Sequence, residues 1–101
     1  MNFEAGKLYK FLASDFIKNY GITNKNNITF YKEYKENMYT TEIKFIDPND
    51  NIVMLLDNDF IGITIFDSSN DKKLGTRIVY KVLYKNQVYY ISAYDLIEEI
   101  N

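Results

Sequence analysis

Histidine, cysteine and tryptophan are missing from this 101-residue chain, which has one proline and four glycines. Without His or Cys there is no Ser-His-Asp or Cys-His nucleophile, no imidazole general base and no ordinary zinc site. Disulfides are excluded as well, which suits a reducing compartment. Gly6, Gly21, Gly62 and Gly75 stand too far apart for a dinucleotide-binding or phosphate-binding loop. No uncharged run approaches the roughly 18 residues that cross a bilayer, and the N-terminus has no apolar signal region, so a cytoplasmic location is expected.

Positive charge is also missing from a long central stretch. Between Lys44 and Lys72 there is no Lys or Arg, while Asp47, Asp50, Asp57, Asp59, Asp67 and Asp71 all fall there. The flanks are mildly basic, so a net charge of −2 hides a local acidic segment. Local charge decides which partners a surface attracts.

What is present is an ordinary globular composition, 47% hydrophobic and 26% charged, with ten tyrosines and seven phenylalanines. At this length the chain is expected to form a single domain over 1–101, burying roughly 65% of its unfolded surface. No repeat or low-complexity linker interrupts it. Asn, Ile, Lys and Tyr supply 46 of the 101 residues. All four use A/T-rich codons, a composition consistent with a phage or mobile-element gene.

The pattern predicts α+β with strands dominant. Lys7 to Leu12 reads as a first strand. Ser14 as N-cap, Asp15 in the first turn, and Phe16, Ile17 and Tyr20 on one stripe predict a short helix closed by Gly21. From Ile28 onward the period becomes 2, through Phe30, Lys32 and Tyr34 and then Thr41, Ile43 and Phe45. Lys35-Glu36-Asn37-Met38 makes the reversal between them, because Asn tolerates positive φ. Pro48-Asn49-Asp50-Asn51 is a second turn. Ile52 to Leu56 and Ile61 to Phe66 are apolar runs expected to be buried on both faces.

Thr76 to Tyr84 and Gln87 to Ser92 flank Lys85-Asn86 as a two-residue hairpin. This pairs Val82 with Tyr89 and Tyr80 with Ile91 on a core face shared with Ile78 and Tyr84. Ser92-Ala93-Tyr94-Asp95 resembles a capping box and predicts a short C-terminal helix through Leu96, Ile97 and Ile100. So many strands in so few residues must curl, as in small SH3-like or OB-like barrels.

Three surfaces are candidates for function. Asp47-Pro48-Asn49-Asp50-Asn51 opens like a calcium loop, but Ile52 stands at the glycine position and Asn58 at the bidentate-Glu position. No metal or other cofactor is therefore expected. Tyr31, Tyr34 and Tyr90 with Lys32, Lys35, Lys81 and Lys85 could form a stacking platform for nucleic acid, although a pI near 5.0 opposes the usual basic footprint. The leading expectation is a non-enzymatic protein-binding module, such as a phage or mobile-element inhibitor. Its six aspartates would face a basic groove of a nucleic-acid-handling protein, imitating phosphates. A carboxylate-dependent enzyme is the remaining alternative.

Overall fold

The computed structural model describes residues 3–11, 27–45, 51–93 and 96–100. All regular structure among them is β. The strands are β1 (Leu8–Phe11), β2 (Asn27–Lys35), β3 (Met38–Phe45), β4 (Ile52–Leu55), β5 (Ile61–Asp67), β6 (Lys72–Tyr84), β7 (Gln87–Ser92) and β8 (Leu96–Ile100).

The sheet order is β5-β3-β2-β7-β6-β4-β1-β8, and β5 also pairs with β6. That extra pairing closes β2, β3, β5, β6 and β7 into a five-stranded barrel. The closure contains one parallel contact, β3 with β5 at Tyr39 and Ile65.

β6 is the branch point. Its first part, Lys72 to Val79, pairs with β5, and Val82 and Leu83 pair with β4. The sheet therefore curls one way through β5 to make the barrel, and the other way through β4 and β1 over the opposite face. Two cores result. Tyr31, Ile63, Ile65 and Val79 fill the barrel, with Tyr39 and Tyr90 packed against them. Tyr9, Phe30, Val53, Leu55, Tyr80, Val82, Tyr84, Tyr89 and Ile91 form the second core beneath β1 and β4. Val79 and Tyr80 are adjacent in sequence and both buried, one in each core.

The turns follow side-chain chemistry. Asn37 takes φ 60 between β2 and β3, and Lys85 and Asn86 take φ 48 and 64 between β6 and β7. Two successive positive φ values make the type I′ loop that matches strand twist. The register is Tyr80 with Ile91 and Val82 with Tyr89, as the sequence predicts.

Three expectations need correction. Residues 96–100 are a strand and not a helix: β8 pairs with β1, aligning Leu8 with Ile100 and Tyr9 with Glu99. The ladder along β1 outweighs a local capping preference worth about 1 kcal/mol. Ile78 is 45% exposed, because β4 covers β6 only further along. Strands β4 and β5 alternate between buried and exposed positions and are not covered on both faces. The N-terminal helix expected from Ser14 to Tyr20 lies outside the described residues.

The barrel interior has a titration signature. Burial, and next the neighbouring Tyr90, push the Tyr39 phenol from its ordinary 10.0 up to about 12. The rings meet edge to face, with centroids 5.1 Å apart. The folded state thus favours the neutral phenol. Its contribution is complete below 10.0 and is lost as pH rises toward about 12. Denaturation midpoints measured across that window should fall more steeply in the wild-type protein than in Tyr39→Phe, which has no proton to lose.

Candidate protein-docking face

The four aspartates within the described residues fall into two groups. Asp57 and Asp59 are exposed in the connection between β4 and β5. Between them, Asn58 Oδ1 accepts the Ala5 N–H at 2.6 Å, which ties this loop to the N-terminal segment. Asp67 and Asp71 lie at the other end of β5. An extended strand of this length separates the two groups by about 20 Å. Asp47 and Asp50 lie outside the described residues.

Asp67 and Asp71 have local partners. The Asp67 carboxylate accepts the Ser69 N–H at 2.9 Å and the Ser69 hydroxyl at 2.6 Å, and these bonds hold it below the usual carboxylate range. Its backbone carbonyl accepts the Asp71 N–H at 2.8 Å, closing the turn. Asp71 sits at φ 56. Its carboxylate accepts Lys35 Nζ at 2.6 Å and the Tyr34 hydroxyl at 2.9 Å, and the lysine bond is the main reason it too is held low. The same arrangement raises the Tyr34 phenol, first through lost solvation and then through the Asp71 bond. Together these contacts fasten the β5–β6 turn to the β2–β3 hairpin.

The residues expected to stack bases are dispersed. Tyr31 is buried in the barrel, and Tyr90 is half-buried against Tyr39. Tyr34 and Lys35 belong to the Asp71 contacts, and Lys32 Nζ lies 3.7 Å from the Glu42 carboxylate. Lys81 is half-buried on β6, and Lys85 Nζ stands 5.4 Å from the Tyr84 ring centre. Stacking platforms need exposed ring faces, and the tyrosines of this set at the barrel wall turn theirs inward.

The sequence reading missed a different surface. Directly paired residues share a face, so Gly62 lies beside Ile78 and Thr64 beside Thr76 on the outside of the barrel. Alternation adds Phe66 and Leu74 to this outer face, and a bulge at Leu74 sets Lys73 opposite Phe66. Phe60 continues it at the near end, 59% exposed, with its ring edge-on to Tyr80 at 6.2 Å. Leu74 is 60% exposed.

This is the face of β6 that becomes the second core at Tyr80. Beyond the reach of β4 nothing among the described residues buries it. A depression of about 370 Å³ is lined by Gly62, Thr76, Arg77, Ile78 and Ser92. A Cβ placed on Gly62 would meet nothing within 4 Å, so the missing side chain keeps the depression open without being required by packing.

A legible signal was available. Positions 60, 62, 64 and 66 and positions 74, 76 and 78 are all uncharged, at period 2, on adjacent strands. Buried alternation and exposed apolar alternation look the same in sequence, because only the neighbouring strand decides which one occurs. Chemically this face offers apolar contact between threonine hydroxyls, with Arg77 at the depression, its guanidinium donating to the Thr76 carbonyl at 2.7 Å, Asp57 and Asp59 at one end and Lys73 at the other. Among the described residues no three His, Cys, Asp or Glu side chains converge as metal ligands, and no helix is long and apolar enough to cross a membrane. No protein-family model, curated protein or solved structure matches this chain.

Proposed function

We propose that the chain is a non-enzymatic protein-interaction module that docks through the outer face of the β5–β6 ribbon. The observation that carries this reading is the exposure of Phe60, Leu74 and Ile78 on the outer face of one two-strand ribbon. Scattered exposed apolar residues are normal on a soluble protein, but contiguous ones mark interaction sites. Membership among SH3-like or OB-like barrels would add nothing, because such folds host unrelated functions.

The face demands two things of its partner: an apolar strip of similar length, and cationic groups at the end that meets Asp57 and Asp59. A basic groove of a nucleic-acid-handling protein supplies the cations. Of the six aspartates expected to steer toward such a groove, Asp57 and Asp59 border this face, while Asp67 and Asp71 are occupied at their own turn.

The test is capture by the immobilised chain, at low and high salt, compared with two variants. Ile78→Lys puts an ammonium into the strip and should abolish capture while leaving the melting temperature unchanged, because the position is already exposed. Asp57→Asn with Asp59→Asn should keep the complex but slow association and flatten its salt dependence. Capture that Ile78→Lys leaves intact would refute the docking face.

A further inference from the structure

We propose that the depression on β6 is a binding subsite for an organic carboxylate carried on a short apolar group. The inference goes beyond the docking reading, because a small acid fills the depression without any protein partner. The observation behind it is the state of Arg77. It is the only arginine among the 12 basic residues of the chain, and it lines the depression with Gly62, Thr76, Ile78 and Ser92.

The strand arrangement places its guanidinium. The Ile78 carbonyl faces the β7 side of β6, where it accepts the Ala93 N–H at 3.0 Å. Alternate residues of a strand direct their carbonyls to the same side. The Thr76 carbonyl therefore faces that side too, beyond Ser92, where the ladder between β6 and β7 ends. A carbonyl that no strand pairs with takes another donor. Here Arg77 Nη1 donates to it at 2.7 Å. Gly75 leaves room beside the guanidinium, since a Cβ there would stand 3.4 Å from Nη1.

That bond uses one of the five N–H groups that a guanidinium carries. The neighbours supply no acid for the rest. Across the ribbon Arg77 pairs with Ile63, with Ile61 and Ile65 next on the same face, and Asp67 stands opposite Lys72, five residues along β6. Asp71 is held by Lys35 and Tyr34. Among the described residues Arg77 makes no ion pair.

An arginine fork matches the two oxygens of a carboxylate, which a lysine does not. Ile78 gives the depression an apolar wall that is 45% exposed, so a tail laid on it leaves water. Gly62 keeps the space for that tail open. The volume of about 370 Å³ is near the lower end of the range for small-ligand sites, about 300–1,000 Å³. The ligand is accordingly small, a carboxylate with a tail of a few carbons, and its dissociation constant is about 1 mM or weaker.

Titration of isotope-labelled protein with sodium butanoate tests this, with ionic strength held constant by sodium chloride and the amide NMR shifts of Gly62, Thr76, Ile78 and Ser92 as the readout. These should move together and saturate, while butan-1-ol, with the same tail and no charge, leaves them in place. Affinity should rise from acetate to butanoate. Arg77→Gln, which loses the charge, should weaken butanoate at least about tenfold. Arg77→Lys keeps the charge and loses the fork, so it should weaken binding by a smaller factor. Position 77 is exposed, so both variants should fold, which far-UV circular dichroism checks.

N-acetylvaline distinguishes the source of the acid. Binding at least about tenfold tighter than butanoate assigns the subsite to the C-terminus of a protein chain, and binding no tighter assigns it to a free acid. Shifts that persist in Arg77→Gln, or that butan-1-ol reproduces, overturn the subsite. The docking face is judged separately, by whether capture of a different protein depends on Ile78.

Discussion

Val82→Asp should yield no folded protein. Val82 has no solvent exposure and sits between Leu55 on β4 and Tyr89 on β7, where the two curls of the sheet share β6. Among the described residues of the second core there is no cation to pair with a carboxylate there, so it must be buried charged or protonated, at a cost of at least several kcal/mol. Lost apolar burial and packing add about 1–3 kcal/mol. A domain of this size has about 5–15 kcal/mol to lose. Circular dichroism of the purified variant should show a disordered spectrum or a melt displaced by tens of degrees.

Lys81→Asp is the matched control. Lys81 is half-buried on the other face of the same strand, and its carbonyl accepts the Leu56 N–H whatever the side chain. That variant should fold with a change of about 1 kcal/mol or less. Equal loss in both variants would contradict the register.

That register was legible in the sequence because two local rules agreed. Lys85-Asn86 fits a two-residue loop, and the alternation of Tyr80, Val82 and Tyr84 against Tyr89 and Ile91 permits one inward face. Reversing it would expose the aromatic set. Asn37 was legible for the same reason, since a polar residue that tolerates positive φ marked the turn. The β8 strand was not legible. Leu96, Ile97 and Ile100 satisfy a helical stripe, and the hydrogen-bonding edge of β1 that captures them lies more than 80 residues away in sequence.

Ile78 failed differently. Its alternation with Tyr80 and Val82 was read correctly and placed it on the right face of β6. What the sequence could not show is that this face is covered for only part of the strand's length. The exchange of neighbours along β6, from β5 to β4, is a property of the whole sheet. The same exchange hid the candidate site, which consists of residues that would have been core had β4 extended one more turn of the pleat. The aspartates show the complementary limit. Their clustering in sequence was real, but β5 sorts them to opposite ends, and Asp67 and Asp71 serve the turn between β5 and β6.

The distinction between covered and uncovered apolar residues can be tested with one chemical change at two sites. Phe30 and Phe60 both contact tyrosines. Phe30 stacks near Tyr84 at 5.3 Å and Tyr89 at 4.8 Å, and it has no solvent exposure. Truncation to alanine there removes a ring from the middle of the second core. Because Tyr84 and Tyr89 are held by β6 and β7 on one side and by the strands above, the space cannot fully collapse. The expected cost is about 3–5 kcal/mol, the range for buried Phe→Ala. A urea titration of Phe30→Ala should show a midpoint lowered by at least about a fifth of its wild-type value.

Phe60→Ala removes a ring that is 59% exposed and touches Tyr80 only edge-on. Its burial is partial and an aromatic contact of this kind adds about 0.5–1.5 kcal/mol at most, so dilute protein should lose about 1–2 kcal/mol, well under the Phe30→Ala loss. In the capture assay, however, Phe60→Ala should also weaken partner binding, because the ring belongs to the proposed docking face and Phe30 does not. If instead Phe60→Ala destabilises dilute monomer as severely as Phe30→Ala, the ring is a core residue. The outer face of β5 and β6 would then be covered in solution, and the docking reading would not stand.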